Sequence, residues 1–441
     1  MSNQESKVPT NRLSRFGKLA SLATRVTGSM VTEGAKQFAQ GKRPKARELL
    51  LTPSNVKRVA DQLAHLRGAA MKVGQLMSMD AGDLISPELA DILARLRSDA
   101  SPMPASQLSA VLSQELGTDW KQNFIEFNFK PIASASIGQV HQAHADDGTK
   151  LAIKVQYPGI KQSIDSDVDN VGTLLGVVGL IPRDVDYKGL LEEAKKQLHA
   201  EADYLLEAKL LGQFREYLSS SPQFVLPDVR AELTTDSVLA MTYVTGVPIE
   251  SLIEHDQETR DLVVTLLLEL LFKEIFDFKL VQTDPNFANF LFDEQQRKVV
   301  LLDFGATRNY DDRISDGYRM AFTAMLEDDD QGLYKALQQI GFFTNDILPE
   351  QRDAVINLVK LAGEPLKHQG IYDFGTSNLA QRISEAGTVL SMEQDYWHTP
   401  PADALFLHRK IGGLYLLAAR LEAKVDVNRL FVPFRLMEVQ K

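Results

Sequence analysis

The sequence predicts an α+β fold with two lobes, the first small and rich in strands and the second mainly helical. Residues 124–156 alternate apolar and polar side chains around an Asp-Asp-Gly turn, a pattern that predicts a strand, a loop and a β-hairpin. Residues 186–218 have the charged amphipathic pattern of one long helix. Short strands follow at 224–244, and the rest of the chain is mostly helical around a strand-rich island at 279–307.

Four segments follow from these patterns. A basic, amphipathic arm covers residues 1–45, a helical extension covers 46–125, the strand-rich lobe covers 126–245 and the helical lobe covers 246–441. We expect the extension to contain a helix that begins at Thr52, because threonine followed by proline is typical of a helix N-terminus.

Composition limits the classes of function. The chain has 441 residues, of which 44% are hydrophobic, so it can bury one large core or two ordinary ones. Cysteine is absent, which excludes disulfides and thiolate metal sites. The apolar stretches at 171–182 and 262–272 are shorter than the roughly 20 residues that cross a bilayer, so both are predicted to be buried helices. We see no secretory signal pattern and expect no nucleic-acid partner.

Basic charge is concentrated near the N-terminus. Residues 1–50 carry ten basic and three acidic side chains, whereas the whole chain has a net charge of −11. Leu13, Phe16 and Leu19 recur at helical spacing beside the basic residues, a pattern typical of a helix on an anionic membrane. The same pattern fits a solvated or packed arm, and the sequence leaves both alternatives open.

The strongest chemical signal lies at residues 281–306. Asp284 stands five positions before Asn289, and an Asp-Phe-Gly triplet at 303–305 follows a predicted strand. Phosphoryl transfer requires a metal ion on the triphosphate, and Asn289 and Asp303 supply the oxygen ligands that Mg²⁺ prefers. Asp284 has the position of the carboxylate that orients or deprotonates the nucleophile. One Asp-Phe-Gly triplet usually marks a turn, but the two motifs in this order and spacing indicate a nucleotide site.

A second group of residues precedes these motifs. Lys154 lies on a predicted strand and Glu207 on a predicted helix, and a lysine fixed by a helix carboxylate can hold the α- and β-phosphates. The loop before this strand has one glycine, Gly138, where the Gly-rich loop of protein kinases has three. No Ala-Pro-Glu follows the Asp-Phe-Gly triplet, so we expect the platform for peptide substrates to be missing.

These motifs and three others resemble the UbiB family of atypical kinases, in its coenzyme Q-linked branch. KVGQ at 72–75 is similar to the KxGQ motif, EAD at 201–203 to the ExD motif, ASAS at 133–136 to the alanine-rich loop and QTDPNFAN at 282–289 to the catalytic loop. The resemblance covers roughly residues 45–310. It implies a bilobal protein-kinase-like fold preceded by a helical extension.

The resemblance implies an autoinhibitory role for the extension. Lys72, Gly74 and Gln75 belong to the segment that lies across the site for peptide substrates in this family. Lys72 is implied to reach the ExD pair, Glu201 and Asp203. Protein kinase activity in trans is then blocked.

The implied cofactor is ATP or ADP with Mg²⁺ or Mn²⁺. Its expected contacts are Lys154 and six residues of the loop and the following strand, namely Ala133, Ser134, Ala135, Ser136, Gly138 and Gln139. By the same analogy Ala135 favours retention of ADP over ATP, although Ser134 interrupts the usual three alanines.

The implied function is that of a Mg²⁺-dependent ATPase that supports ubiquinone (coenzyme Q) biosynthesis. Its expected partners are the adenine nucleotide, an anionic membrane surface, quinone-precursor lipids and other quinone-biosynthesis proteins. The expected location is peripheral on an inner membrane, on the cytoplasmic face in a bacterium or the matrix side in a mitochondrion.

Two other classes of function stay open. The first is a nucleotide-sensing pseudokinase that binds or presents lipid quinone intermediates without catalysis. The second is a small-molecule kinase of the aminoglycoside phosphotransferase type, which shares the catalytic carboxylates but lacks the KxGQ motif and the alanine-rich loop. Taken alone, Lys72 is typical of a solvated helix face, Glu201 and Asp203 of solvated carboxylates, and His141 of a packed or surface residue.

Overall fold

The computed structural model describes residues 32, 38 and 63 and residues 66–80, 102–177, 187–343, 347–392 and 400–435. Most of the predicted arm at 1–45 and the predicted helix start at Thr52 lie outside these residues. The chain divides into two compact units: the first is Met1–Lys209 with Asp228–Tyr243, and the second is Leu210–Pro227 with Val244–Lys441. The predicted boundaries of the four segments stay predictions.

The helices and strands of the chain have the following bounds. Within the described residues the helices are α1 (Arg67–Asp80), α2 (Ala105–Leu116), α3 (Ile160–Val177), α4 (Tyr187–Glu201), α5 (Tyr204–Tyr217), α6 (Gln257–Lys273), α7 (Asp312–Leu326), α8 (Asp330–Ile340), α9 (Pro349–Ala362), α10 (Glu364–Lys367), α11 (Leu379–Met392), α12 (Ala402–Arg420) and α13 (Val427–Phe431). The strands there are β1 (Phe124–Phe127), β2 (Ala133–Ser134), β3 (Gly138–Ala145), β4 (Lys150–Gln156), β5 (Phe224–Val225), β6 (Val238–Thr242), β7 (Val247–Pro248), β8 (Leu280–Gln282), β9 (Phe290–Asp293), β10 (Lys298–Leu301), β11 (Thr307–Asn309), β12 (Tyr372–Asp373) and β13 (Lys424–Val425).

The first unit contains an antiparallel sheet with the strand order β1-β3-β4-β6 and with β2 paired to β3. This sheet confirms the predicted strand, loop and hairpin, and its turn contains Gly148 at φ +84°, a conformation that favours glycine. Leu151, Ile153 and Val155 alternate along β4 and are fully buried in one apolar cluster with α2. Each such side chain contributes about 1.5–3 kcal/mol by burial. Lys154 lies between two of them and therefore extends from the opposite face of β4.

The prediction of one long helix at 186–218 is wrong, because the chain forms α4 and α5 with a break at Ala202 and Asp203. The side-chain amide of Gln156 donates to the Ala202 carbonyl oxygen at 2.9 Å, which satisfies that carbonyl outside the helix ladder. The Asp203 carboxylate accepts a hydrogen bond from the Leu206 N–H at 2.9 Å, as a helix N-cap does. The break thus starts a new helix with its own cap.

The second unit combines small sheets with a helical core. Its strands pair in the order β5-β10-β9-β7, while β8 pairs with β11 and β12 with β13. Most of α6 is buried, which confirms the predicted buried helix at 262–272. A π-helical turn at Glu274–Phe278 follows α6 and leads into β8. The described helices include none with both the length and the hydropathy that spanning a membrane requires.

Candidate active site

An ion pair between Lys154 and Glu207 lies inside the first unit. The Lys154 ammonium group donates to both carboxylate oxygens of Glu207 at 2.9 Å, and both side chains are buried. Glu207 stands in the first turn of α5, so the helix break at Asp203 sets its position. The centre of the Tyr204 ring lies 5.1 Å from the ammonium nitrogen. The structure therefore brings together two predicted residues and fixes a cation of the kind that holds phosphates.

The alanine-rich loop leads directly into β3. Its first two residues form β2 (Ala133–Ser134) and are exposed. The Ala135 N–H donates to the Gly138 carbonyl oxygen at 2.9 Å, which closes the loop. The Ser136 hydroxyl donates to the Glu201 carboxylate at 2.8 Å. The loop is thus tied to the end of α4 through Ser136.

Gly138 occupies a position without room for a side chain. A Cβ atom there would lie 2.4 Å from the Val155 carbonyl oxygen and 2.9 Å from the Tyr204 hydroxyl oxygen. We expect Gly138→Ala to lower the free energy of unfolding by about 1–3 kcal/mol, because a clash with backbone cannot be relieved by a new rotamer. Gly212→Ala is the control, since a Cβ at that helical position meets nothing within 4 Å. Urea denaturation of both variants measures the difference, and equal stabilities would contradict the prediction.

Gln139 is held in the core of the first unit. It is fully buried, and its side-chain oxygen accepts a hydrogen bond from the Met103 N–H at 2.9 Å. Its amide nitrogen donates to His141 Nε2 at 2.8 Å, and His141 Nδ1 donates to the Asn128 carbonyl oxygen. Burial lowers the pKa of His141, which favours this neutral form. These bonds hold the Gln139 side chain inside the first unit, and its contact with a nucleotide stays a prediction.

Helix α1 of the extension packs against the alanine-rich loop. Lys72 is buried and forms an ion pair with Glu201, the same carboxylate that accepts the Ser136 hydroxyl. The approach is close at Gly68, where a Cβ atom would lie 3.0 Å from the Ser136 carbonyl oxygen. The structure therefore joins one residue of the KxGQ motif, one of the loop and one of the ExD motif.

The other residues of these two motifs take separate positions. Gly74 is buried on α1, while the side chain of Gln75 lies outside the described part of the chain. Asp203 caps α5 through its bond with the Leu206 N–H. The contact that the resemblance implies for Lys72 is therefore present with Glu201, and Asp203 has a contact of a different kind.

In the second unit, hydrogen bonds connect the two motif loops. The Asn289 side-chain nitrogen donates to Asp284 Oδ2 at 3.0 Å. The Asn289 carbonyl oxygen accepts a hydrogen bond from the Leu302 N–H at 3.0 Å, next to Asp303. Asp303 Oδ1 in turn accepts a hydrogen bond from the Gly305 N–H at 2.9 Å. Asp284 and Asn289 are thus bonded to each other, and Asp303 directly follows the residue that bonds to Asn289.

The donor set of these loops fits Mg²⁺. The amide nitrogen of Asn289 is used by Asp284, so the amide oxygen is the atom that a metal ion would take. Mg²⁺ in phosphoryl-transfer sites takes one or two such ligands from the protein and completes its shell with phosphate and water. Within the described residues, no cluster of three or more His, Cys, Asp or Glu side chains could hold a metal ion. The roles of Asn289 and Asp303 as metal ligands stay predictions.

Helix α12, which no sequence motif marks, contacts the catalytic loop. On α12, the Arg409 Nη2 atom lies 3.5 Å from Asp284 Oδ1. The next residue, Lys410, forms a buried ion pair with Glu274, where burial raises the pKa of Glu274 and lowers that of Lys410. A signal was present in the sequence, because Lys410 interrupts the apolar stripe of α12 formed by Phe406, Leu407, Leu414 and Leu417.

Comparisons with known proteins extend the likeness beyond these motifs. Residues 95–337 match the family model described as ABC1 atypical kinase-like domain. The chain is 36% identical over 430 residues to the mitochondrial atypical kinase COQ8 of Saccharomyces cerevisiae. This match covers 97% of this chain and 85% of the relative. It is also 36% identical over 433 residues to the mitochondrial atypical kinase COQ8B of Danio rerio, over 97% of this chain and 69% of the relative. The solved complex of Rv3197 with erythromycin, from Mycobacterium tuberculosis, has a TM-score of 0.60 and 26% identity, over 93% of this chain and 97% of that one.

Proposed function

Because the chain belongs to the ABC1, or UbiB, family of atypical kinases, a class of phosphotransferases with an α+β kinase-like fold, we propose that it is a Mg²⁺-dependent ATPase. The observation that carries this proposal is the bonded arrangement of Asp284, Asn289 and the segment before Asp303. Packing of the loops alone does not require the carboxylates of Asp284 and Asp303 and the amide of Asn289 at these positions. Phosphoryl transfer does, because the metal ion and the nucleophile each need an oxygen donor of their own.

Each site residue has one task in this proposal. Lys154, held by Glu207, binds the α- and β-phosphates of ATP. Asn289 and Asp303 hold the metal ion, which supplies charge neutralisation on the phosphates. Asp284 orients a water molecule and accepts its proton. The water oxygen bonds to the γ-phosphorus while the bond to the β–γ bridging oxygen breaks, so that ADP and inorganic phosphate are the products.

The extension restricts the choice of substrate in this proposal. Lys72 and Ser136 both bind Glu201, which holds α1 against the alanine-rich loop. Displacing α1 would separate this ion pair and leave the buried Lys72 ammonium group without its carboxylate, a cost that opposes movement of α1 by a peptide. This cost supports the block of protein kinase activity in trans. The side chain of Ala135, in place of a glycine, is the group that favours ADP over ATP.

The setting of the proposed activity is coenzyme Q biosynthesis. It is supported by the names of the COQ8 relatives and by the QTDPNFAN form of the catalytic loop. We propose a peripheral location on the inner membrane, on the matrix side in a mitochondrion or the cytoplasmic face in a bacterium. The basic arm at 1–45 then contacts anionic lipid, to which each nearby basic residue contributes about 1 kcal/mol. Quinone-precursor lipids and other proteins of quinone biosynthesis are the proposed partners.

One observation favours a second candidate, a pseudokinase that senses nucleotide and presents quinone intermediates. The alanine-rich loop carries side chains where a glycine-rich loop lets the backbone approach the phosphates closely. Under this alternative, binding matters and hydrolysis does not. Rescue of quinone synthesis in cells by Asp284→Asn supports the pseudokinase, whereas failure of that rescue, with normal protein levels, supports the ATPase.

The experiment that tests the proposed ATPase is hydrolysis of ATP by the purified protein with Mg²⁺. It is run with and without anionic liposomes that carry a phenolic quinone precursor. We expect hydrolysis to require Mg²⁺ and to increase with the lipid. Tight nucleotide binding without hydrolysis under any of these conditions would contradict the ATPase and favour the pseudokinase.

A further inference from the structure

Helix α12 lies against the catalytic loop of the second unit. The Arg409 Nη2 atom is 3.5 Å from Asp284 Oδ1, and the two side chains are only 15% and 23% exposed. The other carboxylate oxygen of Asp284 accepts the hydrogen bond from Asn289. Rotation of the Asp284 carboxylate would therefore break one contact or the other. The Asn286 N–H also donates to Oδ1, at 3.4 Å. Arg409, Asn286 and Asn289 together restrict the direction in which this carboxylate faces.

Two further contacts hold α12 beside this loop. Lys410 forms a buried ion pair with one carboxylate oxygen of Glu274, and the other oxygen accepts a hydrogen bond from the Gln282 N–H at 3.4 Å. One turn later, a Cβ atom at Gly413 would lie 2.5 Å from the Cβ atom of Pro285, so the helix and the loop are in close contact there. The helix backbone between these two contacts is thus held at a fixed distance from the loop.

The N-terminal end of α12 is also tied to the strand that pairs with β8. The Arg308 side chain on β11 donates to the Asp403 carboxylate at 2.9 Å, and the Tyr310 hydroxyl donates to the Asp403 carbonyl oxygen at 2.7 Å. Because β11 pairs with β8, which runs into the catalytic loop, α12 contacts both the loop and its supporting strand pair. These contacts hold α12 in place, so the helix presents the Arg409 side chain to Asp284 from a fixed position.

We propose that Arg409 is a positioning residue for Asp284. The proposal rests on the function proposed above, in which Asp284 orients the nucleophile. The guanidinium group, together with the Asn286 N–H, contacts one carboxylate oxygen while the Asn289 amide holds the other, so the orientation of the carboxylate plane is restricted. Arg409 acts through Asp284, and its loss therefore lowers the rate of the chemical step more than it weakens the binding of ATP.

Arg409→Gln and Arg409→Lys in the full-length protein test this role. We expect Arg409→Gln to lower kcat for ATP hydrolysis by about tenfold to about 100-fold, because a small displacement of a catalytic group is enough for such a loss. The KM for ATP is expected to change by less than about twofold, as for an interaction made in the transition state. Arg409→Lys keeps the charge and is expected to recover part of the lost kcat. Arg420→Gln, which breaks an exposed pair with Glu250 on the same helix, is the control that leaves both parameters unchanged.

Amide hydrogen exchange of residues 282–289 gives a second readout that needs no turnover. Arg409→Gln is expected to speed exchange there, and Arg420→Gln is not. Unchanged exchange in Arg409→Gln overturns the role of Arg409. So does a kcat of Arg409→Gln equal to that of the wild type, provided that the wild type hydrolyses ATP. An equal loss of kcat in both Arg409 variants together with a lower melting temperature also overturns it, because a structural role alone has that result. A wild type without Mg²⁺-dependent hydrolysis overturns the proposed function instead, and hydrogen exchange then decides the role of Arg409 separately.

Discussion

Asparagine in place of Asp303 is expected to reduce Mg²⁺-dependent ATP turnover by about 100-fold or more. The substitution keeps the size of the side chain and an oxygen that can accept the hydrogen bond from the Gly305 N–H. It removes the negative charge that a hard divalent cation prefers among its ligands. The fold is expected to persist, so the loss reports on the metal site. Steady-state hydrolysis at increasing Mg²⁺ concentration measures the change, and high Mg²⁺ should recover part of the activity.

Asp293→Asn is the matched control for this prediction. Asp293 ends β9, and one of its carboxylate oxygens accepts hydrogen bonds from the N–H groups of Gln295 and Gln296, each at 3.0 Å. It is therefore also a turn carboxylate with backbone partners, but it stands outside the motif loops. We expect this variant to keep the turnover of the wild type. Equal turnover by Asp303→Asn and Asp293→Asn would show that Asp303 is not a metal ligand.

Methionine in place of Lys410 is expected to lower the free energy of unfolding by about 3–5 kcal/mol. Lys410 and Glu274 are 4% and 1% exposed, so the substitution leaves a carboxylate buried without its cation. Lys367→Met is the control, because it breaks a solvent-exposed pair with Asp328 and should change the free energy of unfolding little. Urea denaturation compares the two variants. A similar loss of unfolding free energy in both variants would contradict a larger contribution from the buried pair.

The loss caused by Lys410→Met is expected to depend on pH. Burial already raises the pKa of Glu274 above its ordinary value of 4.5, and removal of the ammonium group raises it further. The folded protein then binds a proton more readily than the unfolded chain, so stability is gained at low pH and lost as pH rises through the folded-state pKa. The loss should be smaller at about pH 5 than at about pH 8. Adding Glu274→Gln should remove this dependence, and a loss independent of pH would contradict it.

The sheet of the first unit can be predicted from the sequence because its signals are local. The alternation through residues 138–156 and the turn at Gly148 specify a hairpin without reference to the rest of the chain. Spacing likewise identifies Asp284, Asn289 and Asp303, and the structure bonds Asn289 both to Asp284 and to the residue before Asp303. Their roles stay predictions, since spacing specifies which residues are neighbours and not what binds to them.

Contacts between distant residues explain what the sequence could not predict. The break between α4 and α5 depends on Gln156, which is 46 positions before Ala202, and the amphipathic pattern runs through the break unchanged. Arg409 and Asp284 are 125 positions apart, and no local pattern relates them. Lys410 is different, because a lysine on an apolar stripe implies a buried carboxylate partner. Its identity as Glu274 still required the structure.

Binding of ADP, measured by isothermal titration calorimetry with Mg²⁺ and then with EDTA, tests the proposed metal–nucleotide site most directly. The wild type is expected to bind ADP saturably with Mg²⁺ and at least about tenfold more weakly with EDTA. Asp303→Asn is expected to bind ADP weakly under both conditions, while Asp293→Asn behaves as the wild type. An affinity that EDTA does not change, or no binding of ADP under either condition, would contradict the account.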